Sequence, residues 1–130
     1  MIVDSSAIVA MLREEPEVDA MIEVLAMADK VAISAANYLE AAIVIDGPRN
    51  PVASANLDAL LKKFAVGIEP VTEAQVKLAR QAYRDFGRGS GHPARLNFGD
   101  CFAYALAIER GEQLLYKGDD FVHAGLARLA

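Results

Sequence analysis

Met1-Ile2-Val3-Asp4-Ser5-Ser6-Ala7-Ile8-Val9-Ala10-Met11-Leu12 opens the chain, and the reading of this stretch decides the fold. Three consecutive apolar residues make a short buried strand, and any of Asp4, Ser5 or Ser6 can cap the helix that runs through Ala7 to Leu12. A strand that passes straight into a helix is the opening half of a βαβ unit, whose strands lie parallel with helices packed over them. Asp4 falls at the carboxyl end of that strand, the edge at which open α/β sheets bind their ligands.

The same alternation repeats along the chain. Glu14-Glu15-Pro16 breaks the first helix, and Pro16 suits the first turn of a second, which carries Val18, Met21, Ile22, Leu25 and Ala28 at three- and four-residue steps. Val31-Ala32-Ile33 reads as a second strand closed by Ser34, with a helix from about Ala35 to Ile45 ending at Asp46-Gly47-Pro48. Pro51 to Phe64 is helical, with Leu57, Leu60, Leu61 and Phe64 on one face, and Val66 to Val71 is strand-like. Thr72 with Gln75 predicts a capping box for a helix from Glu73 to Phe86. Gly87 to Pro93 is a loop, Asn97 to Arg110 a helix stopped by Gly111, and Gln113 to Tyr116 the last strand. The pattern predicts one α/β domain over residues 1–130, a parallel sheet with helices on both faces.

Bulk properties narrow the function. Hydrophobic residues make up 54% of the chain. They come in short runs broken by charges, none approaching the roughly 20 residues of a membrane span, so a soluble protein with no membrane partner is expected. The strand-like start, without the charged n-region and small-residue cleavage site of a signal peptide, and the single cysteine, which excludes an internal disulfide, lead to the expectation of a protein in the reducing cytoplasm. The net charge of −5 argues against a nucleic-acid partner only at first sight. Setting aside the four carboxylates of Asp4, Glu40, Asp100 and Asp119 leaves −1, and a bound cation would invert the sign locally.

Those acids stand where ordinary surface charge is hard to justify. Glu40 interrupts Tyr38-Leu39-Glu40-Ala41-Ala42-Ile43, Asp100 opens Cys101-Phe102-Ala103-Tyr104-Ala105-Leu106, and Asp119-Asp120 follow Leu114-Leu115-Tyr116. In a parallel sheet Asp4 and Asp119 lie just past strand ends, Asp100 in the first turn of the helix leading to the last strand, and Glu40 about one and a half turns into its helix. Carboxylates gathered in a partly buried cleft repel one another, so the fold needs a cation or a proton among them. A divalent metal site is the economical reading.

With these positions in place, the chain resembles the PIN-domain ribonucleases, and among them the VapC toxins of bacterial toxin–antitoxin pairs. The resemblance is carried by Met1-Ile2-Val3-Asp4-Ser5-Ser6-Ala7, Ser34 to Glu40, Leu96-Asn97-Phe98-Gly99-Asp100-Cys101 and Leu114 to Phe121, in the family's order across nearly the whole chain. It implies a three-layer α/β/α sandwich with a central parallel sheet of four to five strands. It also implies an endoribonuclease that uses Mg²⁺ or Mn²⁺ to hydrolyse RNA phosphodiesters through metal-activated water, and that acts as a toxin restrained by a cognate antitoxin. A homodimer joined to that antitoxin is implied as well. By motif, Asp4, Glu40, Asp100 and Asp119 carry over as the catalytic acids. Asp4 and Asp100 would hold the principal metal, Asp119 would complete its shell, and Glu40 would orient water or a second ion. Asp120 is an alternative fourth acid or a supporting partner. Many relatives carry Thr or Ser where Lys117 stands, so a hydroxyl near the metal is in doubt at that position.

The remaining residues admit two readings each. Ser6 either hydrogen-bonds a ligand carboxylate or substrate, or caps a helix. Lys77, Arg80, Arg84 and Arg88 recur at helical spacing with Arg95 beyond the loop, either as an RNA-phosphate track of Arg80, Arg84, Arg88 and Arg95 or as a solvated face. His92 and His123 lack partners at metal-ligand spacing. Cys101 reads as a small core residue; Met11, Met21 and Met27 read as core or as an adaptable partner patch. Outside the ribonuclease reading stand a receiver-type Mg²⁺-binding signalling module, which would need adjacent acids where Asp4-Ser5 stands, and a PIN protein that processes or binds RNA without being a toxin.

Overall fold

In a computed structural model describing residues 1–130, the chain forms β1 (Ile2–Val3), α1 (Ser5–Leu12), α2 (Val18–Met27), β2 (Ala32–Ser34), α3 (Ala35–Asp46), α4 (Pro51–Lys63), β3 (Gly67–Glu69), α5 (Glu73–Phe86), α6 (Phe98–Arg110), β4 (Leu114–Leu115) and α7 (Asp120–His123). All pairings are parallel, and the four strands lie in the order β3-β2-β1-β4. The chain builds outward from β1 on one side through β2 and β3, then returns to place β4 on the other. That reversal makes the carboxyl end of β1 the topological switch point of the sheet, with Asp4 on it.

The strands are so short that each contributes one or two side chains to each face. Register aligns Ile2 with Ala32 and Leu114, and Val3 with Leu115. Ile2, Ala32 and Leu114 pack into a core with Leu96, Leu106, Tyr116 and Phe121 beneath α5 and α6. Val3, Ile33 and Leu115 enter a second core with Ile8, Met11, Met21, Leu25 and Leu57 from α1, α2 and α4. Two cores divided by one sheet are the three-layer sandwich, and buried both-face strands explain the runs of apolar residues that the sequence shows. Alanines at 103, 105 and 107 let α6 lie close to the strands.

Several boundaries differ from expectation. Asp4 is itself the N-cap, so α1 begins at Ser5, two residues before the apolar run. Pro16 precedes α2, which starts at Val18, and only Gly67–Glu69 of the Val66–Val71 stretch is a strand, at the sheet edge. At Thr72 only half of the predicted capping box forms: Thr72 Oγ1 accepts from the Gln75 amide at 3.2 Å, while the Gln75 side chain donates to Glu109 at 3.0 Å. The short α7 was not read from the sequence, being a single turn without a periodic pattern. Gly111 ends α6 in the left-handed region, φ 61°, where a side chain is disfavoured.

The two-core arrangement makes a simple stability prediction. Leu106 is fully buried between sheet and α6, so Leu106→Ala is expected to cost about 2–5 kcal/mol and lower Tm by on the order of 10 °C. Leu39 is 57% exposed, and Leu39→Ala should change stability by less than about 0.5 kcal/mol. Thermal melts of the two variants check both; equal effects would contradict this placement of the core.

Candidate active site

Asp4 is held by the start of α1. Its Oδ2 accepts from the Ser6 amide at 3.0 Å, satisfying one of the helix's free N–H groups. Its Oδ1 is buried and has no hydrogen-bond partner. Burial is the largest influence on this carboxyl, raising its pKa from 3.8 to about 7; hydrogen bonds from Ser6 offset part of the rise, and the charges of Asp100 and Glu40 add to it. Ser6 therefore supports Asp4 through both its backbone and its side chain, while its hydroxyl oxygen accepts from the Lys117 amide at 3.0 Å and ties the turn after β4 to α1.

Glu40 reaches the same place from α3. Its Oε1 accepts a short hydrogen bond from the Ser5 hydroxyl and a longer one, 3.4 Å, from Asn37 Nδ2. Asn37, completely buried, also donates to the Gly99 carbonyl at 2.9 Å and so links α3 to the first turn of α6. Ser5, Asn37 and Gly99 were not singled out from the sequence. They lie 35, 3 and 59 positions from Glu40, and only Asn37 shares its helix, so nothing local announces the contact.

Asp100 is fixed by a true capping box at the start of α6. Asn97 Oδ1 accepts from the Asp100 amide at 2.9 Å, and Asp100 Oδ2 accepts from the Asn97 amide at 2.9 Å. Asn97-x-x-Asp100 is the one local signal the sequence offered and the reading above left unused. Burial raises the Asp100 pKa, with Asp120 and Glu40 adding to the rise, while the Asn97 hydrogen bond and the positive charge of Arg88 oppose it. Asp100 Oδ1 makes no hydrogen bond within the chain.

The two candidates for the fourth acid, Asp119 and Asp120, are placed differently. Asp119 forms an ion pair with Arg128 near the C-terminus and is 77% exposed, and it is absent from the charges acting on Asp4 and Asp100. Asp120, at the first position of α7, is the neighbour whose charge reaches Asp100. Asp119 is thereby tied to Arg128, while Asp120 acts on Asp100 through its charge.

Asp4, Glu40 and Asp100 thus come from three elements and act on one another at the switch point, and Asp120, exposed at the start of α7, acts on Asp100. No three His, Cys, Asp or Glu side chains are gathered tightly enough to cage an ion by themselves. Mg²⁺ does not require such a cage, since it keeps several waters and takes one or two carboxylates. The unpartnered Asp4 Oδ1 and free Asp100 Oδ1 are suitable hard oxygen donors, and the mutual repulsion is what a cation would relieve. The residues fit a divalent metal.

Arg80, Arg84, Arg88 and Arg95 are exposed and none forms an ion pair, and of the four Arg88 is the one whose charge acts on Asp100. Arg80 and Arg88 line a groove of about 620 Å³ between α5 and α6 with Val76, Tyr83, Phe98 and Phe102. Lys77 instead pairs with Glu73. Lys117 pairs with Glu15 and Glu17, so it holds the α1–α2 turn. His92 stacks edge-on against Phe86 and accepts from the Ala94 amide, and His123 lies in α7; neither enters the acidic pocket's hydrogen bonds. The Cys101 thiol, pushed up to about 11 mainly by burial, is a core residue, as are Met11 and Met21, whereas Met27 is exposed.

A PIN domain family model matches residues 1–126. The chain is 59% identical over 128 residues to Ribonuclease VapC28 of Mycobacterium tuberculosis, covering 98% of this chain and 96% of that protein. Its fold is similar to the crystal structure of Mycobacterium tuberculosis VapC20, a Sarcin-Ricin loop cleaving toxin, with a TM-score of 0.73 and 21% identity over 97% of this chain and 95% of that one. A toxin–antitoxin complex from Klebsiella pneumoniae matches with a TM-score of 0.69 and 16% identity over 92% and 88% of the two chains.

Proposed function

The chain belongs to the PIN-domain family, among its VapC ribonucleases, and on that premise we propose how its residues carry out metal-dependent RNA cleavage. It is an endoribonuclease and the toxin of a toxin–antitoxin pair. The observation that carries the site assignment is the buried, partnerless Asp4 Oδ1 at the switch point, facing Asp100 and Glu40.

Asp4 and Asp100 hold the divalent ion, Mg²⁺ or Mn²⁺, and Asp120 supports it beside Asp100 in place of Asp119. When bound, the ion neutralises charge on the scissile phosphate and lowers the pKa of coordinated water. Glu40, fixed by Ser5 and Asn37, accepts a hydrogen bond from the attacking water and orients it toward phosphorus. Arg88 lies close enough to act on Asp100 and, with Arg80, Arg84 and Arg95, binds phosphates on either side of the scissile bond. No helix of the chain is long and apolar enough to cross a membrane. An antitoxin covers the cleft, with a basic side chain among the acids. A second copy packs on the exposed face of α3, where Leu39 is 57% and Ile43, one turn on, 62% exposed.

The reading is tested by incubating the purified chain with single-stranded and hairpin RNA in Mg²⁺ or Mn²⁺, with and without EDTA. Endonucleolytic products that disappear with EDTA and with added antitoxin are expected; metal-independent products, or none, would refute it. The metal itself should bind in a pH-dependent way. Because Asp4 carries its proton up to about pH 7, and a ligand carboxylate must lose it, Mn²⁺ affinity should rise through pH 6 to 8 and level off above. Calorimetric titration at pH 5.5, 7 and 8.5 checks this, and a flat profile would contradict the burial of Asp4.

A further inference from the structure

Glu40 is the one catalytic acid carried on a long, flexible side chain, so something must fix its carboxylate. We propose that Gly99 is a positioning residue: its bare Cα forms a notch in the first turn of α6 that admits the Glu40 carboxylate, which Ser5 and Asn37 then hold. A Cβ built at position 99 would lie 2.7 Å from Glu40 Cδ and 2.8 Å from Oε1, and closer still to Oε2. Real nonbonded contacts do not reach those distances, so any side chain at 99 and the Glu40 carboxylate exclude one another.

The backbone gives no other reason for a glycine there. Gly99 lies inside α6 and its φ is not left-handed, so no turn requires it, and glycine is among the poorest helix formers. Asn37 sets the depth of the notch. The same Nδ2 that reaches Glu40 Oε1 at 3.4 Å donates to the Gly99 carbonyl at 2.9 Å, fastening α3 to α6 at the residue against which Glu40 rests. With the Ser5 hydroxyl on the same oxygen, three elements close around one carboxylate. Asp100 follows Gly99 directly, so one turn of α6 places Asp100 and also, through the notch, Glu40.

The consequence is a separation of stability from activity. What a Cβ would strike is the far end of a movable side chain, so Gly99→Ala is accommodated by the Glu40 carboxylate swinging out, with the fold intact. The proposal rests on the reading that Glu40 serves cleavage, but its test is built to survive failure of that reading. Tm is measured for wild type, Gly99→Ala, Glu40→Ala and the double variant. Alanine should raise Tm by about 2–4 °C in the Glu40→Ala background, through better helix propensity, and leave it unchanged or lower it when Glu40 is present. Equal shifts in both backgrounds would overturn the notch.

Activity is read beside it. Gly99→Ala should lower kcat for RNA at least tenfold with KM within twofold, and should change any residual rate of Glu40→Ala by less than twofold. Wild-type kcat in Gly99→Ala, or the same loss in both backgrounds, would also overturn the proposal. If wild type itself does not cleave RNA with metal, the proposed function fails while the Tm cycle still decides the role of Gly99.

Discussion

Asp4→Asn is expected to abolish RNA cleavage while making the metal-free protein more stable. The activity loss follows from removing the negative charge of the central oxygen donor, and several kcal/mol of metal-based stabilisation correspond to a rate loss on the order of 10³-fold. The stability gain follows from the same burial. The folded-state pKa of Asp4 is about 7 against an ordinary 3.8, so between those values the native state keeps a proton that the unfolded chain has released. Unfolding free energy therefore falls as pH rises from about 4 to 7, and above 7 the full penalty applies, on the order of 4 kcal/mol. Asparagine carries no charge at any pH and is itself a good N-cap, so it removes the penalty without losing the cap on α1. Melting curves in EDTA should coincide for wild type and variant near pH 4 and separate progressively up to pH 7, with the variant higher. A variant that melts lower at pH 8, or cleaves RNA within tenfold of wild type, would refute the placement of Asp4 in a buried acidic cluster.

The second large effect distinguishes two adjacent residues. Asp120→Asn should reduce cleavage about 10–100-fold, the usual loss when a group that supports a metal ligand is removed, because its charge is directed at Asp100. Asp119→Asn should leave cleavage within about threefold, since it breaks only an exposed pair with Arg128 of the sort that contributes under about 1 kcal/mol. Initial rates on one RNA substrate at saturating Mn²⁺ measure both. If Asp119→Asn proves the damaging change, the turn into α7 presents its residues differently from the geometry described here.

Both predictions concern what lay partly within and partly beyond the reach of sequence. The three-layer architecture was legible because the apolar runs at β1, β2 and β4 are strands buried on both faces and most helix starts (α1, α3, α4, α5 and α6) carry a side-chain cap, properties that local residues dictate. Asp4 and Asp100 were legible for a related reason: a strand end and a helix first turn are places defined by neighbours in the chain. The second contact of Ser6 was not, because its hydroxyl accepts from the Lys117 amide, 111 positions away. Nor could Asp119 be separated from Asp120, since consecutive acids carry the same local signal and only the fold pairs Asp119 with Arg128 and sets the charge of Asp120 on Asp100.

The sequence by itself determined that a strand passes into a helix at Asp4 and that acids sit at strand ends and helix starts. From these came a parallel sheet and a site at its carboxyl edge, because periodicity and capping act over a few residues. Only the tertiary structure decided that β1 is the switch point, that Glu40 is gripped by Ser5 and Asn37 against Gly99, and that the charges of Asp120 and Glu40 act on Asp100. Those contacts join residues far apart in the chain, and packing of α3, α6 and α7 around a four-stranded sheet sets their distances.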